Sequence, residues 1–157
     1  MFEVKDGVRT LQFNGELLAK SSSQRRDSTR WVEFELYKTD SGSYILSRIG
    51  VSLVYHGAAC SLVAKYKLIE ASASDLHDDA IPCEECDPDE SLDLVFPEKY
   101  RYWAQVSDMA NAVLDALYQY DTTNGAYYLT GVAKRLLQDA SKVDSNMRDV
   151  YTVEIVP

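Results

Sequence analysis

The chain is poor in the residues on which much small-protein chemistry depends: 157 residues include only three cysteines and two histidines. Three cysteines do not make a disulfide framework, so a reducing, cytoplasmic setting is expected. The most apolar stretch, residues 51–64, is interrupted by His56, Gly57 and Cys60. It falls short of the roughly 18 to 20 apolar residues that cross a bilayer as a helix. Glu3, Lys5 and Asp6 stand where a signal peptide would carry its apolar run. No membrane role is expected. The sequence also lacks a G-x-S-x-G, a P-loop, an H-E-x-x-H and a dinucleotide fingerprint. A Cys60–histidine pair is the sole nucleophile arrangement on offer, and His56 reads more simply as a partly buried sheet residue. The expectation is a protein without an enzymatic activity.

A further absence is local. From Glu70 to Glu98 there is no Lys or Arg, while eleven acids fall in that span. Removing them leaves 14 acids against 16 bases, so a net charge of −9 becomes +2. The chain therefore reads as a near-neutral domain carrying one acidic segment. Such a segment either keeps the protein soluble or docks on a basic surface, where electrostatics set the on-rate more than the affinity. Glu84, Glu85, Asp87, Asp89 and Glu90 are the residues expected to meet a partner protein.

What remains is ordinary globular material. Hydrophobic residues make up 46% and charged residues 26%, enough for one domain over residues 1–157 with a real core. Residues 1–70 read as mostly β. Asn14-Gly15 suits a type I′ hairpin turn and is expected to join a strand near Val8–Phe13 to one near Glu16–Ser22. Trp31 to Lys38 alternates, with Val32, Phe34 and Leu36 on one face and Glu33, Glu35 and Tyr37 on a wet one. Thr39-Asp40-Ser41-Gly42 is a turn, and Ser43 to Tyr55 is a long strand bent at Gly50. Ser61 to Ile69 is read as a further strand. Residues 71–98 have the composition of a loop.

The period then changes. Trp103, Val106, Met109, Ala110, Val113, Leu114 and Leu117 follow helical spacing, as do Tyr128, Leu129, Val132, Leu136 and Ala140. Two helices are expected over residues 99–143. Asp149 to Val156 alternates again, which predicts a final strand over residues 148–156. The fold class is thus α+β: an antiparallel sheet, made of an N-terminal meander and a C-terminal strand, with a helical pair packed on one face.

Three local patterns invite a ligand. Cys83-Glu84-Glu85-Cys86 has zinc-ligand spacing and needs two further ligands, for which His56 and Cys60, or His77, are the candidates. The acidic flanks disfavour thiolate in the absence of metal, so two incidental cysteines is the plainer reading and zinc the ligand to test. Residues 87–98 match an EF-hand loop in their acids and hydroxyls but place Leu92 where the sharp turn needs Gly. Arg25, Arg26 and Arg30, among Ser and Thr at a hairpin tip, suit a phosphate or an RNA backbone. Lys134 and Arg135 are on the second expected helix.

Phe13-Asn14-Gly15-Glu16-Leu17-Leu18-Ala19, Glu35-Leu36-Tyr37-Lys38-Thr39 and Gly42-Ser43-Tyr44-Ile45-Leu46 resemble segments of the EXLDI family of small actinobacterial proteins. Glu90-Ser91-Leu92-Asp93-Leu94 is similar to the motif that names that family. The resemblance implies a small accessory or regulatory protein and no particular activity. The expected function is non-enzymatic: binding another macromolecule, through the acidic segment or through exposed aromatics such as Trp103, Tyr118, Tyr120, Tyr127 and Tyr128, in a protein of phage or mobile-element type. The alternative is a zinc-stabilised nucleic-acid-binding module that uses Arg25, Arg26 and Arg30.

Overall fold

The computed structural model describes residues 1–57, 68–71, 81–84, 94–97 and 100–152. The N-terminal strands are β1 (Phe2–Asp6), β2 (Arg9–Phe13), β3 (Gly15–Ser22), β4 (Arg30–Thr39) and β5 (Tyr44–Ser52). Four short strands follow, β6 (Val54–Gly57), β7 (Leu68–Ala71), β8 (Ile81–Pro82) and β9 (Leu94–Pro97). The last part holds β10 (Tyr100–Ser107), α1 (Ala110–Leu117), β11 (Gln119–Asp121), β12 (Ala126–Tyr128), α2 (Gly131–Val143) and α3 (Ser145–Thr152). Among the described residues the fold is α+β, with mainly antiparallel strand pairing and three helices in the C-terminal half. Two compact units divide the chain: Met1–Ser23, Val32–Ile49 and Tyr102–Pro157 form one, and Gln24–Trp31 with Gly50–Arg101 form the other.

The first unit is organised by a sheet in the order β10-β5-β4-β3. Strand alternation gives that sheet two apolar faces. Phe34 and Leu36 of β4 and Tyr44 and Leu46 of β5 join Val113, Leu117, Leu136, Leu137, Ala140 and Met147 of the three helices in the main core. Leu36, Leu136 and Leu137 are wholly buried, each contributing about 1.5 to 3 kcal/mol by leaving water. A bulge in β3 between Leu17 and Ala19 lets successive residues, Leu18 and Ala19, both reach this core.

The opposite face is covered as well, which corrects the expectation of a wet face at Tyr37. The β1–β2 hairpin lays Phe2, Val4, Leu11 and Phe13 on Tyr37, Ile45 and Ala104. Phe2 and Phe13 stack at 5.7 Å, and Tyr37 meets their rings at 5.0 and 5.1 Å. The hairpin also guards the sheet edge. Gly7 N–H donates to Tyr102 O at 2.9 Å, and Ala104 N–H donates to Asp6 Oδ1 at 3.2 Å. Backbone groups of β10 that would otherwise invite another strand are thereby occupied.

The Asn14-Gly15 hairpin does not form. β2 pairs with β1, and β3 pairs with β4. Register explains the choice. A two-residue turn at Asn14-Gly15 would set Phe13 opposite Glu16. The observed pairing sets Phe2 opposite Phe13 and Val4 opposite Leu11. In β3–β4 it sets Glu16 opposite Lys38 and Lys20 opposite Glu35. Apolar residues face apolar ones and charges face their opposites, so this register wins. Gly7, at φ 61°, supplies the left-handed residue that the β1–β2 turn requires.

Two further expectations are corrected. Trp103 and Val106 belong to strand β10, so the first helix begins only at Ala110. Residues 149–152, expected in a final strand, lie in helix α3. There Met147 is buried and Val150 and Tyr151 pack against the core, a spacing of three and four that suits a helix. Residues 153–156 of the expected strand lie outside the described residues. Helix α2 carries Val132, Leu136 and Ala140 as their spacing predicts, but it begins only at Gly131, and Tyr128, expected in it, belongs to β12. Its N-cap Thr130 accepts a hydrogen bond from Ala133 N–H at 3.3 Å. Thr130→Ala should cost about 1 kcal/mol in urea unfolding, with Thr130→Ser recovering most of it.

In the second unit the strands run in the order β7-β9-β6-β8. β6 pairs with β8 in parallel and with β9 antiparallel, and β9 also pairs with β7. The long strand expected over residues 43–55 is interrupted at Leu53, between β5 and β6. Of the strand expected over residues 61–69, Leu68 and Ile69 begin β7, and 61–67 lie outside the described residues.

Candidate interaction surface

Between α1 and α2 the chain leaves the core and returns. Leu117 is buried at the end of α1, and Leu129 packs against the same core. The residues between them form the β11–β12 hairpin. Its pairs are Gln119↔Tyr128, Tyr120↔Tyr127 and Asp121↔Ala126.

The loop that closes this hairpin is held by its own side chains. Asp121 Oδ1 accepts from Thr123 N–H at 2.8 Å, and Asn124 Oδ1 accepts from Ala126 N–H at 2.9 Å. Gly125 N–H donates to Asp121 O at 2.8 Å, and Gly125 takes φ 69°. This is the turn chemistry of Asp, Asn and Gly, here closing a hairpin.

What the hairpin presents is tyrosine. Tyr118, Tyr120, Tyr127 and Tyr128 are exposed by 40%, 54%, 70% and 44%. Tyr120 and Tyr127 pair across the strands with ring centroids 5.1 Å apart. Tyr128 OH donates to Gln119 Oε1 at 3.1 Å. Four large rings on a short, braced hairpin, left in water, lower the entropic cost of docking another surface. Beside them, Asp115, Tyr118 and Tyr127 line an open concavity of about 380 Å³. Tyr118, Tyr120, Tyr127 and Tyr128 were legible from sequence as exposed aromatics. Asp115 was not, although its place three residues before Tyr118 puts both on one helical face.

No protein-family model, curated protein or solved structure matches the chain.

The other expected sites are placed as follows. His56 is fully buried in β6, and Cys83 is buried just after β8. Cys83 N–H donates to Tyr55 O at 2.9 Å. The β6–β8 register runs through Tyr55↔Pro82, so His56 and Cys83 are the next residues along the two strands. The structure thus brings these two proposed zinc ligands to neighbouring strands. Cys60, Cys86 and His77 lie outside the described residues, and among the described residues no group of three metal-ligating side chains converges. Glu84 is exposed at the turn after β8, whereas Glu85, Asp87, Asp89 and Glu90 lie outside the described residues. Residues 94–97 of the EF-hand-like pattern form β9, paired on both sides.

Arg25, Arg26 and Arg30 are exposed. Their loop is fastened by Arg25 N–H donating to Ser28 Oγ at 2.7 Å and Leu53 N–H donating to Thr29 O at 2.9 Å. Arg135 of α2, in the first unit, donates to Ser22 O at 2.9 Å and is engaged in holding helix to strand.

One buried polar cluster carries shifted titrations. Asp144 Oδ1 accepts from Lys38 Nζ at 2.7 Å, and Oδ2 accepts from Tyr44 OH at 2.6 Å and from Met147 N–H at 3.0 Å. Burial pushes the Asp144 carboxyl up, but the hydrogen bonds from Lys38, Tyr44 and Met147 outweigh it and hold the group below 3.8. The hydrogen bond to Asp144 raises Lys38 despite partial burial. Burial, then Asp144, raises Tyr44. On the opposite face of the sheet, burial and the neighbouring Glu35, whose carboxylate accepts its hydroxyl, raise Tyr37. Asp144 and Tyr44 are buried, and the cluster fixes the joint between α2 and α3 on the sheet.

Proposed function

We propose that this protein is a non-enzymatic accessory or regulatory module that binds a second protein through its tyrosine hairpin, residues 118–128. The observation that carries the reading is four exposed tyrosines on a hairpin whose loop is held by its own hydrogen bonds. Interface energy concentrates in Tyr, Trp and Arg anchors held in place before binding. A concavity of about 580 Å³ in the first unit is lined mainly by Thr, Ser, Asn and apolar residues, with Asp40 the one titratable group among the described residues that line it. That lining offers little to acid–base chemistry. An accessory role is also what the EXLDI-like segments imply. The acidic segment complements the hairpin by speeding encounter with a basic partner.

The test is photo-crosslinking in the native host. A benzophenone amino acid replaces Tyr127 in one strain and Lys142, exposed on α2, in another. Position 127 should yield one discrete heavier adduct and position 142 none. Tyr120→Ala with Tyr128→Ala should lower recovery of that adduct at least tenfold without changing the melting temperature. Equal adducts from both positions, or none from position 127, would remove the hairpin from the account.

A further inference from the structure

The concavity beside the hairpin has a chemistry of its own. Asp115 is exposed near the end of α1, and among the described residues no hydrogen bond or ion pair engages its carboxylate. Tyr118, the C-cap of α1, and Tyr127 of β12 line the same cavity. The last turn of α1 holds no basic residue, so the partial negative charge of its carbonyls goes unanswered by a side chain of that turn. Nor does the surrounding sequence supply a cation: between Tyr102 and Ala133 there is no Lys or Arg, but Asp108, Asp115 and Asp121 are present.

Two phenol rings, one carboxylate and a helix C-terminus make an environment for a cation. Ring faces are negative and attract a cation placed over them. The carboxylate supplies a charge-assisted hydrogen bond. A planar guanidinium uses both at once, lying along a ring while its edge N–H groups reach the carboxylate. A compact, strongly hydrated ammonium must give up water to gain as much. Two of the three described residues that line the cavity are tyrosines, which favours the flat group.

We infer that Asp115, Tyr118 and Tyr127 form a socket for an arginine side chain presented by the partner protein. This rests on the docking role of the tyrosine hairpin and names the chemistry of the residue docked beside it. Asp115 and the two rings set the preference, and Tyr120, which packs against Tyr127 across the strands, adds area beside it.

The experiment is an NMR titration of the whole chain with N-acetyl-arginine amide, and in parallel with the citrulline and lysine amides. Citrulline keeps the shape of arginine without its charge. Saturable shifts are expected at Asp115, Tyr118 and Tyr127 with the arginine amide, and weaker ones with the lysine amide. Asp115→Asn should weaken arginine binding about fivefold, and Tyr127→Ala by a similar factor, with Tyr127→Phe nearly unchanged. Citrulline binding as well as arginine, lysine binding better than arginine, or shifts that avoid these three residues would overturn the assignment. Adducts from position 127 with no arginine binding would sink the socket and keep the docking hairpin. Arginine binding without adducts would do the reverse.

Discussion

Asp144→Ala is expected to lower the stability of the protein by about 3 kcal/mol. Removing one partner of a buried ion pair costs roughly 3 to 5 kcal/mol because the other charge is left without compensation. Here Lys38 retains 26% exposure and recovers some hydration, which places the effect at the lower end. The same substitution strips Tyr44 OH of its acceptor and Met147 N–H of its N-cap, each worth about 1 kcal/mol. These losses overlap rather than add, because one carboxylate serves all three donors. A drop in melting temperature of about 6 to 12 °C should accompany the change. Asp144→Asn should cost less, since an amide oxygen still caps α3. A double-mutant cycle with Lys38→Met isolates the ion pair. A loss below 1 kcal/mol for Asp144→Ala would mean that the cluster does not hold the α2–α3 joint.

The same carboxylate gives the stability curve its acid limb. Its folded pKa lies below 3.8, so the native state binds fewer protons there than the unfolded chain. The contribution is fully present above that value and is lost as pH falls through the folded one. Lys38 is raised above 10.5 and Tyr44 above 10.0. Their contributions are present below those values and are lost as pH rises through the folded ones. The stability plateau from this cluster should run between roughly pH 5 and pH 9. Asp144→Ala should flatten the limb below pH 4.

The sequence carried local periodicity well and pairing poorly. The alternation of Trp31 to Lys38 and the spacing of Val132, Leu136 and Ala140 each depend on a single element meeting a single core, and both appear as β4 and α2. Trp103, Val106, Ala110 and Val113 fit a helical spacing that crosses an element boundary. Yet Tyr100 to Trp103 is an aromatic run suited to a strand, and tertiary pairing with β5 made it one. Residues 149–152 alternate like a strand, but Asp144 caps a helix just before them. Nothing local reveals that, because Asp144 gains its role from Lys38 and Tyr44, about a hundred residues away. The hairpin tyrosines were legible because they are numerous and close together. Their partner Asp115 needed the fold to show what shares the cavity.

Gly15→Ala is the second large effect expected, and its cause separates two readings of Asn14-Gly15. A type I′ turn would require positive φ, and an Asn would satisfy it. Gly15 is not among the glycines with positive φ. Instead, a Cβ at Gly15 would lie 2.2 Å from Lys38 O and 2.8 Å from Thr39 Cα, both backbone atoms of β4. Neither can move without parting β3 from β4 at its first pair, Gly15↔Thr39. The cost should reach roughly 3 kcal/mol or more, at the upper end of overpacking. Gly7 provides the contrast: its φ is 61°, and a Cβ there meets nothing within 4 Å. Gly7→Ala should cost about 1 to 2 kcal/mol through strain alone, and Gly7→Asn less. At position 15 the order reverses, because Asn brings the same Cβ and more bulk behind it. If Gly15→Asn is tolerated better than Gly15→Ala, left-handed geometry rather than close backbone approach governs the site. Lys38, whose carbonyl excludes a side chain at position 15, is also the lysine paired with Asp144. A disturbance at Gly15 should therefore weaken the acid limb as well, coupling the edge of the sheet to the helical joint.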